Sequence, residues 1–260
     1  MIRGCIFDLG GTIVDRYSLT PFLSLKKAFS KQKIIVPNKL IFQDMGISKK
    51  AHVRNIINNR SITSQWLDIN NEYPDEIDIN NIYDNFNKIQ LNYSENLMTI
   101  LPETPTCIEK LRDQGIKLGV TTGFNKENMT IIKNKLDRNK IHIDHYVSST
   151  CLNLPSRPLP YMIEKNMDRM DITNPRYIIK VDDSQVGIEE GKNANCWTVG
   201  VSRWSTNIGI HNIDDAFSLE DKDLYNEIIN SRKALNNADF VIDTLDELPN
   251  LIENINLNLL

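Results

Sequence analysis

Short apolar runs alternate with amphipathic stretches over most of the chain. The first run, residues 2–7, ends in Asp8-Leu9-Gly10-Gly11-Thr12, a pattern that predicts a buried strand followed by a glycine-containing loop. Because strand and helix patterns alternate after residue 101, we predict a parallel sheet with helices on both faces. Further strands are predicted at residues 116–121, 146–148, 177–181, 197–201 and 240–242, and helices at 107–114, 126–136, 186–193, after Pro158 and from Asp243 onward.

Residues 19–97 have a different pattern, in which helical spacing dominates and no strand pattern is evident. Apolar side chains recur there at steps of three and four, most clearly along residues 79–93. We therefore predict an α/β fold with a doubly wound, mostly parallel sheet and an inserted all-helical domain. The aromatic side chains of the insertion are expected to pack in its interior: Tyr83, Phe86 and Tyr93. The predicted domains are a core of residues 1–18 and 100–260 and a helical insertion of residues 19–99.

Composition and charge narrow the classes of function. The chain has 30 Lys+Arg against 34 Asp+Glu, and a net charge of −4 gives no electrostatic reason to expect a nucleic-acid partner. No run approaches the roughly 20 apolar residues that a membrane span needs, and the N-terminus lacks a signal-peptide pattern. The four cysteines are widely spaced without a CxxC pair, which favours reduced thiols and a cytoplasmic location.

Polar residues follow the ends of four predicted strands, where doubly wound folds bind their ligands. Asp8, in the glycine-containing loop, can act as a nucleophile toward phosphorus. A second carboxylate, from Asp182-Asp183, would share a magnesium ion with it. Thr122 and the backbone N–H of Gly123 can hold phosphoryl oxygens, and Arg157 is the best candidate for the balancing cation. The sequence therefore predicts a site on the protein that transfers a phosphoryl group of a small anionic substrate.

The residues at these strand ends resemble the four motifs of the haloacid dehalogenase superfamily, in the right order. Within it the chain resembles the phosphonoacetaldehyde hydrolases over nearly its whole length. Phosphatases of the superfamily usually carry an acid two residues after the nucleophile, where this chain, like the phosphonoacetaldehyde hydrolases, has none and carries Gly10. The residues that carry the resemblance are 7–15, Thr121-Thr122-Gly123, Arg157-Pro158, Asp183-Ser184, the segment 45–54 of the insertion, and 193–201.

The resemblance implies a cap domain (residues 19–99) and cleavage of a carbon–phosphorus bond. Lys49 aligns with the family's Schiff-base lysine, and an iminium would accept the electrons of the broken bond. His52, one helical turn further on, would move protons, while Asp8 attacks phosphorus. The products would be acetaldehyde and phosphate, and a homodimer through the cap is implied. The remaining implied residues are Thr12, Met45, Thr122, Gly123 and Arg157 for substrate and phosphate, and Asp8, Gly10 and Asp183 for Mg²⁺.

The chain departs from the family pattern at several positions. An acid commonly follows the fourth-motif aspartate by about one helical turn, but this chain has Gly187 there and Asp182 where glycine is usual. Asp182, Glu189 and Glu190 are the candidates to replace that acid. Phe124 stands in place of an aromatic alcohol and Ser18 in place of a cysteine, which indicates an altered substrate preference.

Two other functions stay open at this point. One is a phosphatase of the same fold in which Lys49 only contacts substrate charge, although Gly10 leaves an alkoxide without its acid. The other is a phosphate-metabolite binding protein with a metal site weakened at Gly187. In each case the cap must move to admit a ligand, and the expected hinges lie at residues 16–18 and 101–102.

Overall fold

A computed structural model describes residues 1–152 and 154–257 of the chain. Six strands form one sheet in the order β3-β2-β1-β4-β5-β6, and every neighbouring pair is parallel. The predicted α/β fold with a doubly wound sheet is therefore confirmed. The strands are β1 (Gly4–Phe7), β2 (Lys117–Thr122), β3 (His145–Ser148), β4 (Ile178–Asp182), β5 (Trp197–Val201) and β6 (Phe240–Ile242).

Helices cover the sheet and fill the insertion. Two of them between β5 and β6 have no counterpart in the sequence prediction. One is only six residues long and the other buries only Ser231, so neither presents the apolar stripe that reveals a helix. The helices are α1 (Leu19–Ser30), α2 (Asn38–Gln43), α3 (Lys49–Ile57), α4 (Arg60–Asn70), α5 (Glu76–Asn96), α6 (Thr104–Asp113), α7 (Lys126–Arg138), α8 (Tyr161–Met170), α9 (Gln185–Asn193), α10 (Ile213–Ser218), α11 (Tyr225–Ala234) and α12 (Leu248–Asn256).

The register of the central strands aligns the predicted functional residues. Phe7 at the end of β1 is paired with Val120 of β2 and with Val181 of β4. The residues that follow these three positions therefore emerge at the same level of the sheet's carboxyl edge. Both faces of β1 are buried, since Phe7 packs in the larger hydrophobic cluster and Ile6 in a separate one on the opposite face. Because both of its faces are buried, β1 is held firmly in the sheet, and the loop that follows it begins at a fixed position.

The stretch between α1 and α5 has a hydrophobic interior of its own. Phe22 of α1, Trp66 of α4 and Phe86 of α5 belong to one buried cluster. Phe86 is buried as expected, whereas Tyr83 and Tyr93 are half-buried and pack against the outside of that cluster. Helix α5 begins with a capping box, which satisfies backbone N–H groups at its first turn. The division into cap and core at residues 18/19 and 99/100 stays a prediction.

The segment that leads into the cap has an unusual backbone. Asp15, Tyr17 and Ser18 all have left-handed conformations, with φ values of 58°, 61° and 50°. Left-handed backbone in residues other than glycine costs free energy and is retained where the surroundings enforce it. The carboxylate of Asp15 accepts a 2.7 Å hydrogen bond from the Thr20 hydroxyl, and the backbone N–H of Tyr17 donates to the carbonyl of Trp204. These contacts hold Ser18 close to the β1 loop.

In the described part of the chain, no helix has both the length and the apolar character needed to cross a bilayer.

All four cysteines are free, as expected from their spacing, and Cys151 is the most accessible of them.

Candidate active site

The carboxyl ends of β1, β2 and β4 and the start of α3 enclose a small cavity. Its volume is about 20 Å³, which is room for about one water molecule. Three of the predicted site residues lie outside the lining: Thr12, His52 and Arg157. The lining consists of Asp8, Gly10, Ser18, Pro21, Met45, Gly46, Lys49, Thr122, Gly123, Phe124, Asp183 and Ser184. A groove of about 450 Å³ on the cap surface is larger, but the described residues that line it include no carboxylate.

Three carboxylates lie close together beside the cavity, and two of them, Asp8 and Asp183, line it. Ligand oxygens of Asp8, Asp182 and Asp183 lie within 4.8 Å of one another, and all three side chains are buried. Burial raises the pKa of Asp8 to about 6, although Arg157 acts against the shift. Burial, followed by repulsion from the other two carboxylates, raises the pKa of Asp183 well above its ordinary value. The arrangement therefore concentrates negative charge at one point.

Asp182 has the opposite shift. Burial acts to raise its pKa, but the cations of Lys180 and Arg157 together hold it below the ordinary value. Its Oδ2 lies 2.9 Å from Lys180 Nζ, and its Oδ1 accepts hydrogen bonds from the N–H and hydroxyl of Ser184. Asp182 is thus a firmly held, ionised group beside two carboxylates that are less well compensated.

Arg157 is fully engaged by protein groups. Its Nη1 donates to Asp8 Oδ1 at 2.8 Å and to the carbonyl of Gly46 at 3.5 Å, and its Nε donates to Glu190 at 2.8 Å. Its Nη2 donates to the carbonyl and the hydroxyl of Thr121. In this conformation all five N–H groups point to protein acceptors, and Arg157 holds the Asp8 carboxylate. Its contact with phosphate stays a prediction.

The sequence analysis missed one member of this network and assigned another a different role. Lys180, in the middle of β4, is fully buried and donates to Asp182 and to the Thr121 hydroxyl at 2.9 Å each. Glu190, on the first turns of α9, was considered only as a replacement acid, but it lies between Arg157 and Lys180. A lysine inside an apolar strand was the available signal, because a fully buried lysine requires a partner.

Lys49 is the first residue of α3 and reaches the cavity from the cap side. Its side chain is buried, with Nζ 3.6 Å from Met45 Sδ and 5.9 Å from the centre of the Phe124 ring. Burial lowers the pKa of Lys49 to about 8, although Asp8 acts against the shift. The positive end of the helix dipole also disfavours an ammonium group at this position. The cavity thus contains an amine with an unusually large neutral fraction.

His52 lies one turn further along α3 and is fully buried. Burial and the nearby Lys49 cation lower the pKa of His52 well below its ordinary value, with weak opposition from the backbone of Ile41 and Leu40. Its ring nitrogens make no hydrogen bond of normal geometry with the described residues. The imidazole is therefore neutral at pH 7. Thr12 is also fully buried, and its hydroxyl has no partner in the described part of the chain.

Two glycines shape the cavity by leaving space for neighbours. A Cβ on Gly123 would lie 2.4 Å from the carbonyl oxygen of Ile47, so only glycine lets the β2 loop approach the cap this closely. A Cβ on Gly10 would lie 2.9 Å from the hydroxyl oxygen of Ser18. A larger side chain at position 10 would therefore collide with Ser18.

Comparison with known proteins identifies the family. The profile of haloacid dehalogenase-like hydrolases matches residues 5–201. A phosphonoacetaldehyde hydrolase of Bacillus cereus (strain G9842) is 32% identical over 257 residues, which cover 98% of this chain and 96% of the relative. The chain belongs to the phosphonoacetaldehyde hydrolase family of these hydrolases. A phosphonoacetaldehyde hydrolase of Bacillus mycoides (strain KBAB4) is 30% identical with the same coverage. The family membership expected from the sequence is thereby confirmed.

Solved structures agree with this membership. The crystal structure of a phosphonoacetaldehyde hydrolase-like protein from Oleispira antarctica has a TM-score of 0.92 and 30% identity, covering 99% of this chain and 94% of that one. A β-phosphoglucomutase from Clostridium difficile has a TM-score of 0.71 at 19% identity, covering 100% of this chain and 99% of that one, and shares only the fold. The protein is an enzyme of the phosphonoacetaldehyde hydrolase type, and the individual site residues stay predictions.

Proposed function

We propose that this protein hydrolyses phosphonoacetaldehyde to acetaldehyde and phosphate through a Schiff base on Lys49 and a phosphorylated Asp8. The observation that carries the proposal is the buried Lys49 amine, which lines the same cavity as the Asp8 carboxylate. Relatives with this activity in their names, at 30–32% identity over nearly the whole chain, support the substrate.

Lys49 would act first. Its neutral amine attacks the aldehyde carbon to form a carbinolamine. Protonation of the carbinolamine hydroxyl and its loss as water give a protonated imine. A pKa of about 8 leaves a useful fraction of this amine neutral near pH 7. The electron-poor imine carbon then serves as the acceptor for the electrons of the carbon–phosphorus bond.

Asp8 would carry out the phosphoryl transfer. With a pKa of about 6 it is mostly ionised at pH 7, and Arg157 fixes one of its oxygens at 2.8 Å. The other oxygen attacks phosphorus, the carbon–phosphorus bond breaks, and its electron pair converts the iminium to an enamine. Water then hydrolyses the aspartyl phosphate. Protonation of the enamine at carbon and addition of water release acetaldehyde and restore the amine of Lys49.

Dehydration of the carbinolamine and protonation of the enamine each consume a proton, and hydrolysis of the imine and of the aspartyl phosphate each release one. The neutral imidazole of His52, which can accept a proton at one ring nitrogen while it donates from the other, would relay these protons. In the closed cavity His52 does not belong to the lining, so this role requires a proton path through the Lys49 amine or a water molecule. Gly10 matches this chemistry as well. The iminium accepts the electrons of the broken carbon–phosphorus bond, so the leaving group does not need an acid at position 10.

The carboxylate cluster fits a magnesium ion. Mg²⁺ prefers oxygen ligands and is usually held by one or two carboxylates, and this cluster offers buried carboxylate oxygens whose mutual repulsion a cation relieves. We infer that Asp8, Asp183 and the backbone carbonyl of Gly10 would hold it. When bound, the ion would screen the repulsion between the carboxylate nucleophile and the anionic phosphonate.

The proposal is tested by borohydride trapping with phosphonoacetaldehyde and Mg²⁺, peptide mass mapping, and a phosphate-release assay on the same sample. We expect a reduced two-carbon adduct on Lys49 together with phosphate release. Lys49→Arg keeps the charge but has no amine that forms an imine, so it should lose both signals. Lys50→Arg is the matched control, because Lys50 is its neighbour on α3, about 100° around the helix, and should retain both.

Each other outcome assigns a different function. Phosphate release from ordinary phosphate esters without an adduct would favour the phosphatase alternative. A folded protein that binds phosphate tightly but gives neither signal would favour the phosphate-metabolite binding protein. The homodimer through the cap and the cytoplasmic location stay predictions that rest on the family resemblance and the cysteine spacing.

A further inference from the structure

A small hydrophobic cluster joins the two segments that lead into and out of the helical insertion. The entry segment, residues 15–19, contributes Tyr17 to this cluster, and the exit segment, residues 99–103, contributes Leu101. Trp204, in the loop that follows β5, belongs to the same cluster and is buried. Both connections between the sheet and the insertion therefore pack at Trp204.

Trp204 is also bonded to each of the two segments. Its backbone carbonyl accepts a 2.8 Å hydrogen bond from the N–H of Tyr17, and its indole N–H donates to the carboxylate of Glu103 at 3.1 Å. The guanidinium groups of Arg16 and Arg203 lie 4.6 Å and 3.9 Å from the centre of its ring, which is the range of a cation–π contact. One aromatic side chain thus holds the entry segment and the exit segment at the same time.

The entry segment needs such contacts because its backbone is strained. The left-handed conformations of Asp15, Tyr17 and Ser18 cost free energy, which a movement of this segment would release. The hydrogen bond and the ring packing between Trp204 and Tyr17 oppose that release. They therefore stabilise the arrangement in which Ser18 lines the cavity.

The loop that carries Trp204 is anchored at the cavity as well. The hydroxyl of Ser205 donates to the backbone carbonyl of Asp183 at 2.7 Å, and the N–H of Thr206 donates to Asp183 Oδ2 at 2.8 Å. Asp183 itself lines the cavity. A single short loop therefore links the carboxyl edge of the sheet to both ends of the insertion.

We propose that Trp204 is a positioning residue that holds the helical insertion closed over Asp8 by fixing the entry and exit segments to the loop after β5. Lys49 reaches the cavity from the insertion, so the closed arrangement decides whether its amine lies beside Asp8. Loss of the Trp204 side chain shifts the population toward an open state. The inference rests on the proposed function only for its effect on catalysis.

The test uses three variants of the full chain and one matched control. Trp204→Leu removes the ring and its contacts, Trp204→Phe keeps a ring without the N–H, and Glu103→Gln keeps an acceptor oxygen. Trp197→Leu is the control, because Trp197 begins β5 at the opposite edge of the sheet and its ring lies 4.0 Å from the guanidinium of Arg176. Circular dichroism and urea titration establish that each variant is folded.

Two measurements are made on each protein. The first gives kcat and KM for phosphate release from phosphonoacetaldehyde. The second gives the pH midpoint for reductive alkylation of Lys49 by acetaldehyde and cyanoborohydride, which needs no phosphonate and no turnover.

We expect Trp204→Leu to raise KM by about tenfold and to leave kcat within about threefold of the parent. Binding pays for a scarcer closed state through KM, whereas saturating substrate restores that state. A variant that merely contained less folded enzyme would have a lower kcat and an unchanged KM. Trp204→Phe should raise KM by a smaller factor, and Glu103→Gln and Trp197→Leu should resemble the parent.

The Lys49 midpoint should respond in the same variants. In Trp204→Leu it should move from about 8 toward the ordinary 10.5, because the amine is hydrated for more of the time. In Trp197→Leu it should stay where it is in the parent.

Two results would overturn the inference. One is a folded Trp204→Leu variant whose KM and Lys49 midpoint equal those of the parent. The other is a Trp197→Leu variant that shifts both quantities as far as Trp204→Leu does. A parent that releases no phosphate would refute the proposed function, and the Lys49 midpoint would still test the role of Trp204.

Discussion

The buried amine of Lys49 allows a test of the site that needs no turnover. Its pKa is lowered from 10.5 to about 8, chiefly by burial, with the Asp8 charge acting in the opposite direction. Protonation of an amine is disfavoured when water is removed from around it, because the ammonium loses more solvation than the neutral form. The prediction is that Lys49 reacts with small aldehydes at neutral pH far faster than an ordinary lysine.

The size of the effect follows from the two pKa values. At pH 7 a lysine with a pKa of 10.5 is about 0.03% neutral, and one with a pKa of about 8 is about 10% neutral, a difference of about 300-fold. The neutral fraction rises as pH increases through 8 and then levels off. The rate of alkylation of Lys49 should therefore have a midpoint near pH 8, whereas that of a lysine with the ordinary pKa continues to rise. The exposed Lys222 serves as the reference side chain.

The assay is reductive alkylation with acetaldehyde and cyanoborohydride in the presence of EDTA, followed by mass spectrometry of the peptides that contain Lys49 and Lys222. Asp8→Asn provides a control for which the direction of the pKa shift is predicted. Its carboxylate stabilises the ammonium, so its removal should move the Lys49 midpoint to lower pH. A parent midpoint near 10.5, or a midpoint that moves upward in Asp8→Asn, would refute the reasoning.

Three further predictions concern packing, stability and thiol reactivity. Glu190→Gln leaves two buried cations with too little compensation and should lower the free energy of unfolding by about 3–5 kcal/mol in urea titrations, and a loss below about 1 kcal/mol would contradict this. Gly10→Ala places a methyl group 2.9 Å from the Ser18 hydroxyl oxygen and should lower the melting temperature. The double variant Gly10→Ala/Ser18→Ala should recover most of that loss, and a double variant that is no more stable than Gly10→Ala would argue against the contact. Of the four thiols, the half-buried Cys151 should react with Ellman's reagent in the native protein and the buried three only after unfolding, which a native count above one would contradict.

The fold was predictable because its signals are local. Six apolar runs, each followed by a helix or loop pattern, correspond to six strands, and the parallel register brings Asp8, Thr122 and Asp183 to one edge of the sheet. Helices α10 and α11 were missed because they bury little apolar surface. A helix without an apolar stripe has no periodic signal in the sequence.

The site was predictable at the strand ends and less so away from them. The contact between Arg157 and Glu190 could not be predicted, because Glu190 follows 33 residues later and spacing alone does not reveal which side chains the fold brings together. Lys180 falls within the apolar strand pattern of residues 177–181, and that pattern does not indicate which groups compensate its charge. The position of Lys49 came from family resemblance, since a lysine in a basic helix is by itself typical of a solvated surface.

The amine and the nucleophilic carboxylate of the proposed mechanism come from different parts of the chain, so closure of the site can activate the amine. Asp8 follows β1, while Lys49 is at the start of α3 in the helical insertion, where its backbone N–H donates to the Gly123 carbonyl at 3.4 Å. The cavity between them holds about one water molecule, so substrate enters only after the cap has moved. In the open state, which admits phosphonoacetaldehyde or acetaldehyde, water surrounds the Lys49 amine and favours its ammonium form, so the aldehyde reacts once the site has closed around it. Closure removes that water, and the same motion that brings the amine to Asp8 therefore lowers its pKa and makes it a nucleophile.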